Sequence, residues 1–191
     1  LVSYVTGHAI CEGYIKSVEE AINDMDKLIS STLQYSEIRT SKTIAVKQLE
    51  LQPIVETIVS LLVKNKTDDF NFNIIKPLPL INLNEVKARQ IFQNLIENAY
   101  KYRDKSKNSF VNIDWEENDN YYQFMIQDNG IGIEKKYHDI VFDAFKKLNN
   151  RTDSSGIGLF IIKKIITSNG GEIWIESEIG MGTTFYFKIL K

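Results

Sequence analysis

Residues 85–103 carry two helical stripes of opposite character, and any fold for this chain has to satisfy both. Asn84 is placed to cap the N-terminus, and Ile91, Leu95 and Tyr102, at i, i+4 and i+11, form an apolar stripe that requires a core. Asn94, Asn98 and Lys101, at i, i+4 and i+7, share a different face of the same helix. Two carboxamides and an ammonium group in line are costly to bury without partners. That face is either a solvated stripe or the wall of a site, and the rest of the chain has to decide.

What surrounds this helix reads as an α+β domain. Residues 42–50 predict a strand and residues 52–64 a helix with Pro53 in its first turn, where proline is tolerated. Phe70, Phe72 and Ile74 alternate with polar residues, and Pro77 and Pro79 hold an extended connection onward. Residues 110–116 and 121–128 predict two more strands. In the second, the inward set Tyr122, Phe124 and Ile126 continues to Asp128, so the period carries a carboxylate to the core side at a strand end. A short helix is expected at 137–145 and a loop at 146–155. A helix then runs to 168 with Ile161, Ile162, Ile165 and Ile166 inward, Gly170 and Gly171 end it, and strands follow at 172–178 and 183–190. The ordering predicts helices layered on a mixed sheet.

Ahead of this domain, residues 14–39 are helical in pattern. Val18, Ile22, Met25, Ile29 and Ser36 mark a seam that Ala21, Leu28, Thr32 and Tyr35 widen, the spacing of a coiled coil or four-helix bundle, which implies a partner from a preceding segment or a second copy. A single long helix packed on its own domain is the other reading. The polar break 40–43 places a boundary between residues 1–41 and 42–191.

Composition excludes several classes. The formal net charge is −2 with scattered lysines, so no nucleic-acid footprint appears. The one cysteine, Cys11, is read as a small apolar filler; it allows no internal disulfide framework and fits a reducing compartment. No apolar run approaches the roughly 18 residues of a membrane span. The chain begins at Leu1 without a methionine and is expected to be a piece of something longer.

Three glycine-bearing turns, after Asp128, before residue 157 and at 180–182, suit a polyphosphate nucleotide, because glycine lets backbone N–H groups approach phosphate oxygens. Walker-type spacing and dinucleotide fingerprints are both missing. The motifs Asn94-x3-Asn98-x2-Lys101-Tyr102, Asp128-x-Gly130-x-Gly132, Phe142-x2-Phe145, Gly156-x-Gly158-Leu159 and Gly180-x-Gly182-Thr183 resemble, in order, the N, G1, F, G2 and G3 boxes of sensor histidine kinases. The likeness is to their catalytic ATP-binding domain, within the wider family that includes gyrase and the Hsp90 chaperone. Residues 14–39 look like the second helix of the preceding dimerisation and phosphotransfer domain. The wording around 142–148 and 180–187 is close to bacterial phytochrome-like and hybrid kinases.

The resemblance implies a two-layer α/β sandwich of the Bergerat ATP-binding type and a set of roles. Asn98, assisted by Asn94, would hold Mg²⁺ against the triphosphate of ATP, Lys101 would contact phosphate, and Tyr102 would flank the nucleotide. Asp128 would accept a hydrogen bond from the adenine amino group, and Gly130, Gly132 and Ile133 would line the adenine. Residues 146–155 would form an ATP lid with Arg151 a phosphate contact. Gly156, Ile157, Gly158 and Leu159 would stand at its hinge, and Thr183 would reach adenine through water. ATP-hydrolysing relatives carry glutamate at the place of Asn94; an amide cannot take a proton from water, so the γ-phosphoryl is kept for another nucleophile. Glu97 lies about 100° round the helix from Asn98 and is a lesser candidate for orienting that nucleophile.

The sequence departs from the family in two places. The acceptor box His-(Glu/Asp)-x-x-x-Pro has no counterpart: of the two histidines, His8 has no proline after it, and His138 reads as a surface residue near the lid. Ser154 stands where many kinases have a glycine. The expectation is therefore an ATP- and Mg²⁺-dependent histidine kinase core whose acceptor histidine lies elsewhere, or a kinase-derived module that binds nucleotide without transfer. It is expected to be cytoplasmic, dimeric through the N-terminal helix, and partnered by a response regulator or receiver domain. Neither nucleic acid nor membrane is expected as a partner of this piece.

Overall fold

The computed structural model describes residues 48–63, 70–146 and 156–191, together with Tyr14, Ile15, Val18 and Met25, each in α-helix. The remainder of the expected helix at 14–39, the boundary at 41/42, His8, Cys11, Arg151 and Ser154 lie outside the described residues.

In chain order the elements are β1 (Gln48–Glu50), α1 (Leu51–Val63), β2 (Phe70–Ile74), β3 (Leu80–Asn82), α2 (Glu85–Lys101), β4 (Ser109–Glu117), β5 (Tyr121–Asp128), α3 (Gly158–Ser168), β6 (Ile173–Glu178) and β7 (Gly182–Leu190). Five strands form one sheet in the order β2-β4-β5-β7-β6, with β2 and β4 parallel and every other pair antiparallel. β1 and β3 form a separate antiparallel pair, Gln48 opposite Asn82. α2 packs on β4 and β5, α3 on β6 and β7, and α1 on α2, so the architecture is the expected mixed sheet under a helical layer.

α2 is the middle helix, packed on both α1 and α3. Asn84 caps it, its side chain accepting from the N–H groups of Val86 at 2.9 Å and Lys87 at 3.4 Å. Such a cap contributes about 1 kcal/mol. The helix buries Ala88, Ile91, Phe92, Leu95, Ile96 and Ala99, a full apolar stripe turned to the sheet. Phe92 meets Phe124 of β5 edge-on at 5.6 Å and Phe187 of β7 at 5.7 Å, while those two rings stack at 5.0 Å. Each such pair adds about 0.5–1.5 kcal/mol beyond its buried area. All three rings are fully buried, which locks α2 in register against the two central strands.

Two local expectations are corrected. Residues 137–145 do not form an α-helix. Lys135–Tyr137 is a 3₁₀ turn, and His138, Ile140 and Asp143 donate their N–H groups to carbonyls three residues back. Val141 and Phe142 are buried, but the hydrogen bonds of the segment run mostly to the third residue back, so the chain turns tightly instead of continuing as an α-helix. Phe145 then closes the segment at φ 64°. The second correction is β3, which follows Pro79 and was legible only as an extended connection.

Candidate functional site

The site begins where the alternation of β5 runs out. Phe124 and Ile126 point into the core, and the same parity turns Asp128 inward at the strand's last residue. Its Oδ1 accepts from the Gly130 N–H at 2.9 Å and the Thr183 N–H at 3.2 Å. Burial pushes the carboxyl up to about 6, and these two N–H groups only partly oppose the shift. Among the described residues no buried side-chain polar atom lacks a partner, so Oδ2, which receives no protein donor, keeps access to solvent. A half-buried carboxylate with one oxygen committed and one open is a ready hydrogen-bond acceptor for a ligand. The close approach of β7 requires glycine next door. Gly182 has φ 103°, and a Cβ there would collide with the Asp128 carbonyl.

A serine outside the expected set ties this corner together. The Ser177 hydroxyl of β6 donates to the Gly182 carbonyl at 2.8 Å, receives the Ile133 N–H at 2.8 Å, and lies 2.8 Å from Thr183 Oγ1. The signal for it was in the sequence. Ile173 and Ile175 face the core, so period two carries Ser177 inward by the same parity that singles out Asp128. His138 is half-buried rather than a plain surface residue, and its Nε2 meets the Ile133 carbonyl at 3.1 Å.

The polar stripe of α2 runs toward this corner. The Tyr102 carbonyl accepts the Ile131 N–H at 3.0 Å, which fastens the end of the helix to the loop after Asp128 and sets Gly130 against the helix end. Lys101 and Tyr102 are half-buried there, the Lys101 ammonium 5.7 Å from the Tyr102 ring centre. One turn back, the Asn98 carboxamide is half-buried and has no hydrogen-bond partner among the described residues. Asn94 is held: its Nδ2 donates to the Gln90 carbonyl at 2.8 Å, which directs Oδ1 to the start of α3. Glu97 lies on an exposed face and accepts from Gln93 at 2.8 Å.

Gly158 opens α3 directly against Asn94. A Cβ at 158 would collide with Asn94 Oδ1, while the backbone there is not in the left-handed region. Gly158→Ala is therefore expected to change stability by about 1 kcal/mol or less, because helix propensity and the displaced Asn94–Gln90 hydrogen bond oppose each other. Displacing the Asn94 amide should nevertheless weaken nucleotide turnover about tenfold or more, since small misplacements in a site are costly. Thermal melts and turnover measured on one preparation test the pair; a variant that loses both alike would show that Gly158 serves packing alone. Ile157 is buried before it, and Leu159 packs on the core, so these two anchor the helix start. Gly156, at φ 68°, accepts the Phe145 N–H at 3.0 Å.

The structure thus brings the described members of the expected set into one region spanning α2, the end of β5, the start of α3 and the start of β7. Its donor set is neutral carboxamides, one lysine and one carboxylate. No cluster of three or more His, Cys, Asp or Glu fit to hold a metal occurs among the described residues. Carboxamide oxygens suit magnesium when the opposing charge arrives with a polyphosphate, because that ion keeps waters and takes few protein ligands.

A family model described as histidine kinase-, DNA gyrase B-, and HSP90-like ATPase matches residues 83–191, which hold every one of these groups. The chain belongs to that ATPase family. It is 35% identical to cyanobacterial phytochrome A of Nostoc sp. over 92% of its length and 23% of the relative's. It is 31% identical to the sensor histidine kinase WalK of Bacillus subtilis, over 64% of this chain and 21% of that one. The chain spans less than a quarter of the length of these relatives. Full-length ShkA, solved in complex with AMPPNP, shares the fold at a TM-score of 0.71 and 22% identity, covering 93% of this chain and 38% of that one. The likeness to ShkA gives the fold, a two-layer Bergerat-type sandwich, and the family model gives the ATPase family.

Proposed function

We propose that this ATPase-family domain transfers the γ-phosphoryl of ATP to a protein histidine in a two-component system. One observation carries the reading. At residue 94, where hydrolysing relatives resembled by this sequence place a glutamate, stands a carboxamide whose N–H is already committed to the Gln90 carbonyl. Its oxygen keeps its lone pairs but is far too weak a base to take a proton from water, so hydrolysis is not promoted. Asp128 Oδ2 would receive the adenine amino group, with Gly130, Gly132 and Ile133 against the base. Lys101 would meet the phosphates, Tyr102 would flank the nucleotide, and Arg151 would add a contact from outside the described residues. Asn98, with Asn94 beside it, would hold Mg²⁺, which when bound neutralises charge on the phosphates. The bond from the β,γ-bridging oxygen to the γ-phosphorus breaks as a bond from an imidazole nitrogen forms, and ADP leaves.

The apolar seam at 14–39 supports a homodimer, and the sensor-kinase relatives support a response regulator or receiver domain as the next acceptor. No helix among the described residues is long and apolar enough to cross a membrane. That, with the phytochrome relatives, supports a cytoplasmic setting. The test is to supply an intact acceptor domain and follow label from γ-labelled ATP. Acid-labile phosphohistidine is expected. Its absence from a folded, ATP-bound protein would overturn transfer and leave a nucleotide-binding module.

A further inference from the structure

We propose that Ser177 is a positioning residue that sets which purines the site accepts, by fixing the Thr183 hydroxyl as a hydrogen-bond acceptor only. The proposal rests on the ATP-site reading above and extends it to the choice of base. The polarity follows from the three contacts of the Ser177 hydroxyl. A carbonyl can only accept, so the one Ser177 proton goes to Gly182. A backbone N–H can only donate, so Ile133 occupies one Ser177 lone pair. The contact with Thr183, at 2.8 Å, is then satisfied by the Thr183 proton alone. Thr183 Oγ1 is left with lone pairs and nothing to donate.

Thr183 is also fastened to Asp128, opposite it in the β5–β7 register and bonded through its N–H at 3.2 Å. This end of the site therefore sets a carboxylate oxygen beside the buried Thr183 hydroxyl oxygen, both acceptors. An exocyclic amino group, or a water that donates, matches such a pair. A carbonyl in the amino position would face lone pairs on both sides and be rejected, since polar mismatches of this kind discriminate more strongly than lost apolar contacts. The site is thus selective for 6-amino over 6-oxo purine nucleotides, and Ser177 holds that selectivity. Without its oxygen, Thr183 can rotate and offer its proton to a 6-oxo group.

Calorimetric Kd values for ATP and for inosine triphosphate, its 6-oxo analogue, test this on wild type, Ser177→Ala, Ser177→Thr and Thr183→Val. The wild-type preference for ATP is expected to shrink about tenfold in Ser177→Ala, the worth of one such polar contact, and to be retained in Ser177→Thr, which keeps the hydroxyl. A merely structural role for Ser177 would weaken both nucleotides alike and leave the ratio unmoved, which would overturn the proposal. Should Ser177→Ala fail to fold, Thr183→Val decides, because it removes the acceptor while Ser177 keeps its other two bonds. An unchanged ratio there is equally fatal. Wild type that binds no ATP would overturn the nucleotide reading itself, an outcome distinct from an unmoved ratio in a protein that does bind.

Discussion

Asp128→Asn is expected to bind ATP about 10- to 100-fold more weakly than wild type, the worth of a hydrogen bond to a charged acceptor, while becoming more resistant to unfolding. Both effects come from the same burial. The asparagine oxygen can still receive the Gly130 and Thr183 N–H groups, so the corner keeps its shape. Its other atom becomes an NH₂, which faces the adenine amino group donor to donor. The stability gain follows from the carboxyl of wild type, pushed up to about 6 by burial. Between the ordinary carboxylate range and about 6 the folded protein holds a proton that the unfolded chain has released. Unfolding free energy from this group is therefore highest below that window and falls as pH rises through it. At neutral pH the ionised side chain costs about 2 kcal/mol, allowing for its solvent-facing oxygen, and asparagine removes most of that. Denaturant midpoints at pH 7 against pH 5 read this directly: the advantage of the variant should be present at 7 and shrink at 5. ATP affinity of wild type should fall as pH drops below about 6. A variant that binds ATP normally would show that Asp128 does not face the base.

Asn98→Ala is expected to lower metal-dependent phosphoryl transfer about 100- to 1,000-fold, the loss typical when a preorganised polar group in a site is removed. The fold should be unaffected. The Asn98 carboxamide makes no hydrogen bond to any described residue, so no internal partner is orphaned, and alanine is the better helix former by about 0.5 kcal/mol. Asn98→Asp should also fail, since a carboxylate beside the phosphates repels them. Single-turnover transfer and a thermal melt together check this. Transfer at the wild-type rate in either variant would show that the metal is held elsewhere.

Much of this arrangement was legible in the chain. Strand β5 was read to its observed ends because its alternation is uninterrupted and one face is fully buried. The parity that carried Asp128 inward is a geometric consequence of that alternation. α2 was equally clear, with a cap, two stripes and a core face. Residues 137–145 failed because one buried pair, Val141 and Phe142, anchors the segment, and a single pair looks the same in sequence whether turns or a helix carry it. β3 was missed because its pairing with β1 joins residues that are distant in sequence, Gln48 with Asn82 and Glu50 with Leu80, and three residues carry too little pattern of their own. Ser177 was overlooked although it lies in phase with Ile173 and Ile175. A small hydroxyl in a strand resembles a solvated residue until its neighbours' parity is counted.

The placement of β7 bears on how the protein is made. It follows every other strand in sequence, yet it lies inside the sheet, between β5 and β6. Until it docks, those two strands have no contact in the ladder, and the Asp128 corner lacks both the Thr183 N–H and the Gly182 carbonyl. Pairing partners so distant in sequence form late. A growing chain that has not yet released residues 182–187 lacks the Asp128 corner and also the Phe187 ring on which Phe92 of α2 packs. The Asp128 corner is therefore the last part of this sheet to be completed, and it depends on the strand that is made after all the others.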